Sequence, residues 1–105
     1  MLRPIGALLL GCVVGLAQES RSTIAGIITD SMDAGIPKAR VVISNVETGV
    51  DTVLFTNERG VYVAPLLLPG IYRVSAEREG FKKSTRDGIT LSVNDNQQID
   101  LRLEL

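Results

Sequence analysis

Histidine and tryptophan are missing from the sequence altogether, and cysteine occurs once, at Cys12. Without histidine there is no general base that titrates near neutral pH and no imidazole to ligate zinc or another transition metal. A lone cysteine cannot close a disulfide within the chain, so the fold has to stand on its core. Aromatic residues come to 4%, two Tyr and two Phe, which leaves little for a platform of exposed rings. Neither sign of charge is in excess: Lys+Arg 11 stand against Asp+Glu 12, for a net charge of -1. A nucleic-acid binder needs a basic face to neutralise phosphates, and that composition gives none. What remains is a 105-residue chain, 45% hydrophobic, with room for one domain and a packed interior.

Part of the apolar content lies at the N-terminus and reads as an address rather than as structure. Residues 1–17 have the pattern of a secretory signal: one positive charge at Arg3, then an apolar run from Ile5 to Leu16. Gly15-Leu16-Ala17 offers small residues at both positions a signal peptidase inspects, which predicts cleavage before Gln18. The run is shorter than the ~20 apolar residues of a spanning helix. Leu9-Leu10-Gly11-Cys12 also resembles a lipobox, with Cys12 as the lipid-bearing residue. Apolar residues continue through Val13 to Ala17, however, where a lipoprotein normally turns polar, so the ordinary signal is the preferred reading. Either way the protein is expected to be exported, and cleavage leaves a mature chain without His or Cys.

The mature chain, 18–105, is expected to be a single all-β domain. Its segments are short, rich in β-branched residues and separated by turn residues at close intervals. Residues 22–30 read as a first strand and 39–45 as a second, with Ala39, Val41 and Ile43 on one face. A third strand spans 51–56, and Asn57-Glu58-Arg59-Gly60 turns the chain into Val61-Tyr62-Val63-Ala64. Residues 65–70 read as a connector, with Pro69-Gly70 as its turn. In 71–77, Tyr72, Val74 and Ala76 are predicted to face inward and Arg73, Ser75 and Glu77 to face water. Ile89, Leu91 and Val93 mark a short strand, turned by Asn94-Asp95-Asn96. At the end, Ile99, Leu101, Leu103 and Leu105 alternate with Asp100, Arg102 and Glu104 in a strict period of two. No mature window sustains a helical period over three turns.

Four segments carry a family resemblance: Ile24-Ala25-Gly26-Ile27-Ile28-Thr29-Asp30, Gly35-Ile36-Pro37-Lys38-Ala39-Arg40-Val41, Asn57-Glu58-Arg59-Gly60-Val61-Tyr62 and Leu68-Pro69-Gly70-Ile71-Tyr72-Arg73-Val74. Together with Glu79-Gly80-Phe81-Lys82-Lys83 and the closing Asp100-Leu101-Arg102-Leu103, they resemble the carboxypeptidase regulatory-like domain over almost the whole mature chain. The resemblance implies a small antiparallel β-sandwich of about seven strands, transthyretin-like with an Ig-like Greek key. Combined with a signal peptide, it looks like the N-terminal extension of TonB-dependent outer-membrane receptors, and so implies a periplasmic or outer-membrane-associated or secreted module. No plug, barrel strand or energy-coupling box is identifiable before Leu105, so the expectation is a free-standing module or a fragment of a longer receptor. Tyr62 and Tyr72 are expected to bury their rings and aim their hydroxyls at loop backbone, and Phe81 to plug one end of the sandwich.

Each candidate for chemistry has a plainer explanation. Glu77 and Glu79, two apart, could form a carboxylate pair, but they flank Arg78 in a surface pattern and read better as a solvated strand end. Asp30, Asp33, Asn94, Asp95 and Asn96 all lie in loops, yet their spacing fits no calcium loop and turn chemistry accounts for them. The Lys82, Lys83 and Arg86 group reads as charge guarding a solvated edge. No catalytic, cofactor-binding or metal-ligating residue is therefore assigned, and the chain is not expected to be an enzyme or to carry a cofactor. The expected role is interaction or scaffolding with an envelope protein. The alternative implied by related sandwiches is binding of a glycan, which the shortage of aromatic rings disfavours.

Overall fold

A computed structural model describes residues 21–105. The expected leader over 1–17, its cleavage point before Gln18 and Cys12 lie outside the described residues. Within them the chain forms eight strands: β1 (Ser22–Thr29), β2 (Arg40–Asn45), β3 (Asp51–Phe55), β4 (Val61–Leu67), β5 (Gly70–Glu77), β6 (Ser84–Leu91), β7 (Asn96–Gln98) and β8 (Leu101–Arg102). They build two four-stranded sheets, one in the order β4-β1-β7 with β8 also on β1, the other in the order β3-β2-β5-β6. The expected all-β sandwich is the fold.

Alternation along each strand fills the space between the sheets. Ile24 and Ile28 of β1 and Tyr62 and Ala64 of β4 turn inward from one sheet. Val41 and Ile43 of β2 and Tyr72, Val74 and Ala76 of β5 meet them from the other. Each large aliphatic side chain buried in this way stabilises the fold by roughly 1.5–3 kcal/mol. Thr56 is one of the polar residues buried in the interior, and its hydroxyl is satisfied twice. It donates to the Ile36 carbonyl at 2.6 Å and accepts the Ala39 N–H at 2.9 Å. Phe81, in the turn after β5, packs half-buried against the core and closes it there.

The C-terminal segment departs from expectation. It is two short strands, not one, and both run parallel to β1: Thr23 pairs with Asn96, and Ile28 with Leu101. All the other strand pairs are antiparallel. The break falls at Ile99-Asp100, where the Asp100 carboxylate accepts the Ile27 N–H at 2.9 Å in place of a ladder carbonyl. Gly26 makes this possible, because a Cβ there would lie 2.0 Å from the Ile99 carbonyl oxygen. Ile99, Leu101 and Leu103 are buried as expected, but Leu105 is 83% exposed. It lies beyond Arg102, the last residue paired with β1, so no strand holds it down.

Smaller corrections have equally local causes. Val93 is exposed because β6 ends at Leu91 and the chain turns there; Asn96, expected in that turn, opens β7. β4 runs through Pro65 to Leu67 where a connector was expected. It is an edge strand, where proline costs no ladder bond, and it bulges between its Ala64 and Leu67 pairings, with Leu66 at a φ of 63°. Ser75 is buried despite its outward position, since Val42 and Thr85 flank it in register and overhang so small a side chain. Gly60 does close the turn after Asn57 as expected, at a φ of 80°. Asn57 Oδ1 secures that turn by accepting the Arg59 and Val61 N–H groups at 2.9 and 3.0 Å.

Candidate interaction surface

Of the loop residues considered as candidate ligands, Asp30, Asp33 and Asp95 are engaged in holding loops. Asp30 Oδ1 accepts the backbone N–H groups of Met32 and Ala34 at 2.8 and 3.0 Å. Asp33 pairs with Arg102, which ties the first loop to β8. Asp95 accepts from Gln97 Nε2 at 3.1 Å and from the Ser92 N–H at 3.2 Å; these bonds hold its carboxyl below the usual carboxylate range. Asn94 adopts a φ of 56°, the left-handed turn geometry that Asn tolerates. Among the described residues, no three acidic side chains converge as a metal site would require. Glu77 closes β5 while Glu79 lies past it in a turn, so the two do not share a strand face.

The basic group is divided. Lys82 and Lys83 line a cavity of about 280 Å³ together with Ser84, Arg102 and Glu104. Arg86 instead donates to the Asp100 carbonyl at 3.1 Å. Arg73 pairs with Asp87 on the solvent face of β5 and β6, and that hydrogen bond raises the guanidinium pKa further. The two tyrosine hydroxyls take the roles expected of them. Tyr62 donates to the Ile99 carbonyl at 2.5 Å and Tyr72 to the Leu68 carbonyl at 2.6 Å. Burial, with the charge of Asp100 adding to it, pushes the Tyr62 phenol well above its ordinary value. Both hydroxyls are structural donors to backbone carbonyls.

The sheet edges differ in how they meet solvent. β4 carries Pro65 and the bulge at Leu66, and β7 is only 3 residues long. β6 has a register shift opposite Tyr72 and Val74, bears Arg86 and Asp87, and leads back to the Lys82 N–H, which binds the Glu104 carbonyl. Such features blunt an edge against strand addition. β3 has no proline, bulge or register shift, and its one charged residue is Asp51 at its start.

Its register fixes which backbone groups are free. The Asn45 N–H bonds the Val50 carbonyl and the Thr56 N–H bonds the Ala39 carbonyl. Carrying that alternation along the ladder turns Thr52 and Leu54 toward β2, and leaves the N–H and C=O of Asp51, Val53 and Phe55 pointing outward. The side chains of Val53 and Phe55 are 46% and 62% exposed. Phe55 is the exposed aromatic ring of the described residues; Tyr62 and Tyr72 are buried and Phe81 is half-buried.

Two further concave regions mark the surface. A cleft of about 240 Å³ lies between Val50, Leu66, Leu68 and Tyr72, where the sheets part. A shallow groove of about 430 Å³ runs over the outside of β1, with Ala25, Ile27 and Val61 in it and Asn96 and Gln98 at its rim. Sequence reading placed a strand over 51–56 but assigned no surface role to Val53, Phe55, Val50 or Leu66. The stretch Val53-Leu54-Phe55 is apolar at every position, so its alternation did not say which side chains face water.

The sequence pattern of the carboxypeptidase regulatory-like domain matches residues 23–104. No curated protein matches the chain. Among solved structures, the Bacillus anthracis TIE protein aligns over 81% of this chain and 16% of its own, at 18% identity and a TM-score of 0.68. A candidate carbohydrate-binding protein from Bacteroides uniformis aligns over 78% of this chain and 40% of its own, at 15% identity and a TM-score of 0.62. Catechol 1,2-dioxygenase from Acinetobacter aligns over 82% of this chain and 53% of its own, at 13% identity and a TM-score of 0.64. The chain thus spans well under two thirds of each of these structures, and at such identities the likeness is one of fold. From the second residue of β1 to Glu104, the match takes in both sheets: the chain belongs to the carboxypeptidase regulatory-like domain family.

Proposed function

We propose that the protein is a non-catalytic, exported interaction or scaffolding module, of the kind that extends the N-terminus of a TonB-dependent outer-membrane receptor. In this reading residues 1–17 are removed, the domain of 18–105 works outside the cytoplasm, and its partner is a protein of the cell envelope. The observation that carries it is the contrast on the surface. Asp30, Asp33 and Asp95 are engaged in turns and an ion pair, while the β3 edge presents free backbone groups beside exposed Val53 and Phe55. Exposed strand edges of this type bind by adding a strand, which needs no reactive residue.

Intact-mass measurement of the exported protein tests the leader: the expected product begins at Gln18. For the interaction, a photoreactive side chain at Val53 is expected to give a discrete protein adduct in living cells, and one at Thr90 on β6 is not. Equal, diffuse labelling at both positions would count against an interaction surface on β3.

Glycan binding is the second reading, favoured by the groove over β1 and its rim amides Asn96 and Gln98. Its weakness is the lack of a ring in that groove on which a sugar could stack. Retardation in polysaccharide-containing gels, abolished by Gln98→Ala, would establish it. Unchanged mobility across a panel of envelope and plant polysaccharides would remove it.

A further inference from the structure

We propose that β3 is a self-pairing edge: two copies of this chain join through it, antiparallel across a two-fold axis, into one continuous sheet. This rests on the interaction reading above and names the partner of that edge as a second copy.

The register makes the edge self-complementary. With Val53 opposite its own symmetry mate, the outward N–H and C=O groups of Asp51, Val53 and Phe55 meet those of Phe55, Val53 and Asp51 in the other copy. An antiparallel ladder of that register makes about six hydrogen bonds between the chains. Residues directly opposite one another share a face, so the exposed side chains of Val53 and Phe55 come together on the outer side. The contact closes on itself, so it ends at two copies and does not propagate into a fibre.

Charge fits the same register. On the single chain Arg40 pairs in the ladder with Phe55 on one side and Glu77 on the other, and Ser44 pairs with Asp51. Arg40 and Asp51 are both exposed, and neither has an ion-pair partner within the chain among the described residues. In the joined sheet the Asp51 of one copy lies directly beside the Phe55 of the other. Arg40 is then two strand spacings away, roughly 9–10 Å between backbones, which two extended side chains can bridge over the Phe55 ring. The two-fold axis makes this pair twice. A net charge of -1 for the full chain, which becomes -2 once Arg3 leaves with the leader, sets little repulsion against association.

An edge contact of this size is small, so its dissociation constant is expected in the micromolar to millimolar range. Sedimentation equilibrium of the exported protein, from about 1 μM to about 1 mM, should show a monomer–dimer equilibrium. Val53→Lys places a charge on the exposed edge and leaves the bonds to β2 intact, so its urea midpoint should match the parent. Its dimerisation should weaken about tenfold or more. Arg40→Asp and Asp51→Arg should each weaken dimerisation, and the double variant should restore it. A parent protein that stays monomeric to about 1 mM overturns the proposal. So does a Val53→Lys variant that is folded and dimerises as before. A photoadduct at Val53 to a different protein, with no self-adduct, would overturn self-pairing while upholding the interaction reading.

Discussion

Tyr62 sits where three parts of the chain meet. Its ring belongs to the core, its backbone pairs with Gly26, and its hydroxyl holds the Ile99 carbonyl at the break between β7 and β8. Tyr62→Phe removes the donor and leaves that carbonyl buried without its partner, at a cost of about 1–3 kcal/mol in a urea titration. The same burial makes a prediction in pH. Because the folded-state pKa is raised above the unfolded value of about 10, the folded chain holds the phenolic proton more tightly. Stability is then fully present below pH ~10 and falls above it, by at most about 1.4 kcal/mol per pH unit. Urea midpoints measured from pH 8 to pH 11 should drop more steeply for the parent than for Tyr62→Phe. Parallel curves would mean that another group sets the alkaline slope.

At the scale of the element, β1 decides the architecture, because it is the strand with partners of both directions: β4 antiparallel, β7 and β8 parallel. Gly26 is where those demands collide. Gly26→Ala would drive a methyl group into the backbone of Ile99, and backbone on both sides leaves neither partner free to yield. Overpacking of this kind typically costs about 1–3 kcal/mol, read as a lower thermal midpoint with the same cooperative transition. Nothing in the sequence flags Gly26, which looks like one more small residue in an apolar strand. Period-two alternation was legible wherever one face met the core and the other met water, as in Tyr72, Val74 and Ala76. It failed where a strand ran out of partners, at Val93 and Leu105, and it could not foresee parallel pairing, since a strand's own pattern is the same for either direction. The surface was less legible than the core for a related reason. Val53 and Leu54 look equivalent in sequence, and only the register with β2 shows which one faces out.

For the molecule as a whole, the two ends of the described segment are structurally joined: the first strand lies in the middle of a sheet, one edge of which is supplied by the last residues. The described sandwich contains no cysteine, so reductant should not move its unfolding midpoint, as thermal melts with and without dithiothreitol would show. Stability must come from side chains contributed by both ends. Leu103 and Leu105 separate that contribution cleanly, because both are leucines in one alternating run and only Leu103 is buried. Leu103→Ala is expected to cost about 2–5 kcal/mol, a large share of the ~5–15 kcal/mol available to a whole domain. Leu105→Ala should be within about 0.5 kcal/mol of the parent. Removing residues 96–105 takes away Ile99, Leu101 and Leu103 together and uncovers one side of β1. The shortened chain should lose its β circular dichroism and its cooperative urea transition. If it keeps both, the parallel strands are an addition to a sandwich that is already stable, and β1 does not need its second neighbour.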